Sequence, residues 1–301
     1  MLYMKESPRL SVVIASLGRP GLTKILQDIS QSSFEIPIDI ILVLDGVNPS
    51  NPELKIWENM CSKIIVIPVN VGPSAAFTIG IQEVTTEFFR IFTDDDKWLH
   101  APLKRVMPSL QKNTVLVCRS EVHDELGGSI RSAIFPISKS PLESVYAPII
   151  PWRRNKVYFH LTSMIFPREA SQIEFRKELV IREDLDWLQQ IFERGINFIF
   201  SPEVLVLAYP SHQRSAIRQS VEIDVDWVTR LSNRSNTLAK NFVYFHCFRS
   251  FAVAGMPKEI FARIFLFQEI VGKPTPSQLF ALIFYVQLSV LKNLGHKLSR
   301  K

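Results

Sequence analysis

The stretch Leu10-Ser-Val-Val-Ile-Ala15, running into Ser16-Leu-Gly-Arg-Pro20, decides the fold class. An uncharged run closed by Gly and Pro reads as a strand buried on both faces, the habit of parallel sheets. The pattern returns at Ile38–Leu44, which ends in Asp45-Gly46, and at Lys63–Pro68. It returns again at Phe88–Phe92, which ends in Thr93-Asp-Asp-Asp96. Helical stretches lie between these runs: Leu22–Ser30, a segment around Pro52–Met60, and residues 74–85 with Ala75, Ile79 and Gln82 at helical spacing. Strands alternating with helices predict βαβ units, hence an α/β fold on a mostly parallel sheet. Such sheets bind ligands at the carboxyl ends of their strands. Ser16, Asp45 and Asp94–Asp96 all stand at predicted strand ends, so one edge should gather them.

Further along, Thr114–Arg119 and Ser129–Phe135 flank a turn-rich His123–Gly128 and predict a hairpin. Tyr158–Pro167 reads as a strand, and Glu183–Arg194 as a helix closed by Gly195. Phe198–Phe200 and Val204–Ala208 read as two short strands. Beyond His212 the pattern is helical to the end. The chain therefore divides into residues 1–215 and a helical region, residues 216–301.

Two acidic segments carry chemistry. Three adjacent carboxylates at Asp94–Asp96 repel one another, a cost that a cation would offset. Hard oxygen ligands favour Mg²⁺ or Mn²⁺, commonly held by one or two carboxylates plus substrate phosphates. The same residues could instead begin a helix ahead of Lys97-Trp98. The second segment, Arg182-Glu-Asp-Leu-Asp-Trp187, is either a set of partners for a helix dipole or a source of a carboxylate general base. His212 is a candidate ligand or a core histidine.

Taken in order, these segments resemble the inverting family-two glycosyltransferases with the GT-A fold, over roughly residues 9–215. Ser11-Val-Val-Ile-Ala-Ser-Leu-Gly-Arg19 looks like that family's first strand and its Pro-Thr-x-Asn-Arg turn. Asp39-Ile-Ile-Leu-Val-Leu-Asp-Gly46 looks like its second strand, and Asn70-Val-Gly-Pro-Ser-Ala-Ala76 like its Asn-x-Gly-x-x-x-Ala segment. Phe92-Thr-Asp-Asp-Asp-Lys-Trp98 is similar to its DxD region; Ser163–Arg168, Glu183-Asp184 and Gly195 follow in order. The resemblance implies a transferase moving sugar from a nucleotide-diphosphate sugar, UDP-sugar favoured, to a glycan or lipid-linked acceptor hydroxyl. It implies Ala15, Ser16, Arg19, Asp45 and Asp94 on the nucleotide sugar. It places Mn²⁺ or Mg²⁺ on Asp95, Asp96 and His212, and a catalytic base at Asp184. Three departures stand out. Leu44 replaces the first acid of the usual pair, Phe77-Thr78 stands where Arg-Asn is common, and Thr93 takes the first DxD position. The alternatives are a nucleotidyltransferase, which would usually bring a Gly-rich, Lys-containing phosphate loop, and a non-catalytic sugar-binding or scaffold protein.

Composition narrows the rest. The chain has 301 residues, 47% hydrophobic and 21% charged, which excludes a disordered chain. Gly 11 and Pro 19 exclude collagen-like sequence, and there is no internal repeat. Cys61, Cys118 and Cys247 lie far apart, against a zinc site or disulfide framework and for a reducing, cytoplasmic compartment. The opening Met1–Leu10 has no apolar core long enough for a signal peptide. From Lys240 onward there are nine Lys or Arg against two Asp or Glu, a net +7, so the first 239 residues carry a net −1. That distribution does not suit a nucleic-acid binder and suits an anionic membrane surface, an acidic partner or a solvated helix face. Phe280–Leu291 is apolar but shorter than a span of about 20 residues, and Gln287 interrupts it. With the amphipathic Ile260–Val271 it should pack on the domain or lie in a membrane interface. Residues 120–160 should shape the acceptor side, where Trp152-Arg-Arg154 is either an anion contact or plain surface.

Overall fold

The computed structural model describes residues 10–33, 35–124, 127–131, 140–148, 160–179, 181–208, 221–253 and 256–298. The chain forms two compact units, residues 1–141 with 157–216 and residues 142–156 with 217–301. The described residues 142–148 thus belong with the C-terminal helices.

The first unit is built on one mixed sheet in the order β3-β2-β1-β4-β8-β6-β9-β5, with β7 paired to β6. Strands β1 (Leu10–Ser16), β2 (Ile38–Asp45), β3 (Lys63–Ile67) and β4 (Phe88–Thr93) make its parallel half. In β1, Val12 and Ile14 face α1 (Leu22–Ser32), packing with Leu22, Ile25 and Leu26 over Trp57 of α2 (Leu54–Glu58). Val13 faces α3 (Pro73–Gln82), which approaches so closely that a Cβ on Gly80 would stand 2.5 Å from Val13 and 2.9 Å from Val43. Only glycine lets this helix lie flat on the strands. A strand covered on both faces can carry apolar residues throughout, which explains the unbroken run in the sequence.

The remaining strands are β5 (Asp96–Trp98), β6 (Thr114–Asp124), β7 (Gly127–Arg131), β8 (Met164–Pro167) and β9 (Asn197–Ala208). Helix α4 (His100–Val106) follows β5, and α6 (Glu183–Glu193) precedes β9. The hairpin forms between β6 and β7. The two strands expected at 198–208 are one, because β9 bulges: Phe200 pairs with Val117 and Val204 with Arg119, so Ser201–Glu203 oppose Cys118 alone. Strand β5 is new. After β4 the chain turns at Asp94-Asp95 and returns for three residues antiparallel to β9, with Asp96 opposite Ala208.

The second unit holds most of α5 (Pro141–Val145), then α7 (Val221–Arg234), α8 (Asn236–Asn241), a π-helical turn at Phe242–Cys247, α9 (Phe248–Val253), α10 (Pro257–Val271) and α11 (Pro276–Leu298). Trp227, Tyr244, Phe248, Phe267 and Tyr285 are buried together in its interior. Their polar tips are satisfied: Trp227 Nε1 donates to Tyr146 Oη at 3.1 Å, and Tyr285 Oη to the Phe245 carbonyl at 3.3 Å. Among the described residues, no helix is long and apolar enough to cross a membrane.

Candidate active site

The parallel strands end in a cleft of about 210 Å³, lined among others by Ala15, Ser16, Arg19, Asp45, Phe77 and Asp94. Each edge of it is held by a short chain of hydrogen bonds. At the end of β1, Gly18 (φ +70°) turns the backbone against Val47, and its N–H donates to Ser16 Oγ at 2.9 Å. Ser16 Oγ donates to Asp94 Oδ2 at 2.5 Å, and Arg19 Nη1 to Asp94 Oδ1 at 3.0 Å. The first and fourth strand ends are thereby tied together. At the end of β2, Asp45 is buried and its two oxygens accept from Val71 N (2.7 Å) and Gly72 N (3.0 Å). Asp45 therefore clamps the Asn70–Gly72 loop that leads into α3. Gly46 (φ +73°) lets that loop in, since a Cβ there would stand 3.1 Å from Asn70 Cβ.

The three adjacent acids part company. Asp94 lines the cleft, and Asp95 Oδ2 lies 3.9 Å from the same Arg19 guanidinium. Asp96 does not join them. As the first residue of β5 it is buried, and Oδ2 accepts from Thr93 Oγ1 (3.0 Å) and Thr162 Oγ1 (2.8 Å), with His160 Nδ1 at 3.7 Å. Loss of solvation pushes its carboxyl above the ordinary carboxylate range, against the pull of His160 and the two hydroxyls. Beneath it the fully buried Arg90 stacks on Trp98 at 4.3 Å and donates to the Thr162 carbonyl at 2.6 Å; burial lowers its guanidinium to about 10. Asp96 thus serves an internal network.

Among the described residues, no group of three or more His, Cys, Asp or Glu is gathered to hold an ion. The residues still fit a divalent cation in a narrower sense. Asp94 and Asp95 converge on one positive group, Arg19, and two carboxylates plus phosphate oxygens form a sufficient hard donor set. His212 and Trp152–Arg154 lie outside the described residues.

The second acidic segment divides in the same way. Asp184 sits half-buried in the first turn of α6, and its Oδ1 accepts from Leu185 N at 2.7 Å. Asp186 is buried, bonded to Arg176 Nε (3.2 Å) and Gln190 Nε2 (2.9 Å). Arg182, with φ +64°, turns the chain into the helix, and strained residues of this kind often border functional sites. An aromatic relay joins α6 to the cleft wall. Phe77 meets Phe175 at 6.0 Å, and Phe175 stacks on Trp187 at 4.4 Å. Phe175 N donates to Thr78 Oγ1 at 3.0 Å, and Trp187 Nε1 to the Ile173 carbonyl at 2.7 Å. So Phe77-Thr78 supplies an apolar wall and a backbone anchor. The sequence flagged the pair, like Thr93, only as a departure, and in the lining Leu17 was not singled out, nor Asn70 and Gly72 as individual site residues. Asn70 and Gly72 were legible within the Asn-x-Gly segment, whereas Leu17 carries no signal.

Sequence and fold agree on the family. The Glycosyl transferase family 2 profile matches residues 11–171, more than half of the chain, and the chain belongs to that family. No curated protein matches it by sequence. Among solved structures it is similar to S. aureus TarS 1-349 in complex with UDP-GlcNAc. The TM-score is 0.62 at 15% identity, covering 95% of this chain and 92% of that one. It spans 54% of the longer S. aureus TarS chain, at a TM-score of 0.60 and 14% identity over 95% of this chain. It is also similar to the mannosyltransferase PcManGT from Pyrobaculum calidifontis in complex with GDP-Man and Mn²⁺. There the TM-score is 0.53 at 16% identity, covering 96% and 87% of the two chains. These likenesses establish the GT-A fold.

Proposed function

We propose that the chain is a metal-dependent, inverting glycosyltransferase. It moves a sugar from a nucleotide-diphosphate sugar, UDP-sugar favoured, to a glycan or lipid-linked acceptor hydroxyl in glycan or polysaccharide biosynthesis. The observation that carries this reading is the cleft at the strand ends, with Asp45 and Asp94 both in its lining, at the ends of the two strands that flank β1. Ala15, Ser16 and Asp45 meet the nucleoside. Each Asp45 oxygen gives one lone pair to the Asn70–Gly72 loop and keeps another for a base N–H, as uracil offers. Arg19, beside Asp94, faces the diphosphate side. Asp95, with Asp94 alongside, would hold Mn²⁺ or Mg²⁺, which offsets the growing charge on the leaving diphosphate. Asp184 takes the proton from the acceptor hydroxyl while its oxygen bonds to the anomeric carbon and the bond to the phosphate oxygen breaks. A single displacement inverts that carbon. His212 adds a ligand or a phosphate contact. Neighbours that bind UDP-GlcNAc, and GDP-Man with Mn²⁺, support a nucleotide-sugar site of this kind. The three free thiols, Cys118 and Cys247 buried, accord with a reducing, cytoplasmic setting, and the basic C-terminal region supports a peripheral position on the inner face of a membrane.

The test is transfer and donor hydrolysis with UDP-, GDP- and dTDP-sugars, with Mn²⁺ and with chelator. Metal-dependent turnover of one donor, with inversion in the product, is expected. Retention would contradict the mechanism, and donor binding without any turnover would mark a scaffold instead.

A further inference from the structure

The second unit wears its apolar residues outward. Of twelve large hydrophobics exposed among the described residues, eight lie between Met256 and Leu291, on α10 and α11 or just before them. Helix α11 buries a modest stripe, Gln278, Ala281, Leu282, Tyr285 and Ser289, and turns Leu279, Phe280, Ile283, Val290 and Leu291 to solvent. No charged residue occurs from Pro276 to Leu291. Helix α10 does the same with Phe261 and Phe265, the latter 77% exposed. Exposed apolar surface gathered this way marks an interaction face.

Charge selects the occupant. The second unit carries fifteen Lys or Arg against six Asp or Glu, a net +9, while the first carries a net −3. Lys258, Lys273 and Lys292 are exposed at the ends of the two apolar faces, and Lys297, Arg300 and Lys301 follow in sequence. A second copy of this unit would bring like charge to the face, whereas an anionic bilayer brings the opposite charge and an apolar interior. Neither helix is long and apolar enough to cross. We infer that the outer faces of α10 and α11 dock in the plane of an anionic membrane, with Phe261, Phe265, Phe280 and Ile283 entering the acyl boundary and the lysines meeting lipid headgroups. This is independent of the nucleotide-sugar site, and the test uses no donor.

The experiment is co-sedimentation of the full chain with vesicles of phosphatidylglycerol mixed with phosphatidylcholine, and of phosphatidylcholine alone. Binding to the anionic vesicles, weakened by salt, is expected. The triple variant Phe265→Ser, Phe280→Ser, Ile283→Ser should lose about tenfold or more, by loss of buried apolar area. The triple variant Lys258→Gln, Lys273→Gln, Lys292→Gln should lose about tenfold on anionic vesicles only. Unchanged thermal melting would show both variants folded. No sedimentation with anionic vesicles, or wild-type binding by the serine variant, would overturn the inference. So would self-association that depends on the patch without vesicle binding.

Discussion

Residues 93–96 and 182–186 are two acidic segments of equal weight in the sequence, and the fold treats them alike. Each spends one carboxylate on internal structure, Asp96 on Thr93 and Thr162, Asp186 on Arg176 and Gln190. The others lie elsewhere: Asp94 and Asp95 turn to Arg19 beside the cleft at the first, and Asp184 is half-buried in the first helical turn at the second. A run of acids is therefore not one site. Asp96 and Asp186 hold their segments in place, and the proposed function assigns the ligands to the remaining acids. Position in the run does not say which is which, because the buried acid is defined by partners outside the run, as Thr162 is for Asp96 and Arg176 for Asp186.

That comparison can be broken by mutation. The largest effect should come at Asp184→Asn, which keeps size but cannot accept a proton. Transfer should fall by about 10²–10⁴-fold with donor affinity held, measured by single-turnover kinetics beside donor titration. Normal turnover would make Asp184 a helix cap. Asp186→Ala should do the reverse, costing about 2–3 kcal/mol of stability by stripping Arg176 and Gln190 of their acceptor. Denaturant melts would show it, and an unchanged midpoint would remove the distinction between the two acids. Thr162→Val should cost about 1–3 kcal/mol, because a buried Asp96 oxygen loses a donor, while donor binding survives in the folded variant. If Thr162→Val instead abolished binding with stability intact, Asp96 would belong to the site.

The parallel half of the fold was legible because its strands are buried on both faces and so carry unbroken apolar runs ended by turns. The cleft was legible for the same reason, since Ser16, Asp45 and Asp94 are read off the strand ends. Strand β5 was not legible. Three residues after an acidic turn have no periodicity, and their partners Val206–Ala208 lie over a hundred residues away. Missing β5 is what left Asp96 grouped with Asp94 and Asp95. The bulge in β9 was hidden likewise, since Ser201-Pro202 reads as a break unless β6 is already beside it. The role of Phe77 was hidden because its partner, Phe175, belongs to a segment without a pattern of its own.

The central claim is that the cleft between Asp45 and Asp94 holds the nucleotide sugar. Calorimetric titration of the chain with UDP-sugars in Mn²⁺ tests it most directly, repeated with Asp45→Ala and Asp95→Ala. The account predicts one-to-one binding by the wild type. It predicts binding weakened about tenfold or more by Asp45→Ala but still strengthened by Mn²⁺, and binding that no longer responds to Mn²⁺ in Asp95→Ala. Wild-type affinity and metal response in both variants, with the protein folded, would place the donor elsewhere and contradict the account.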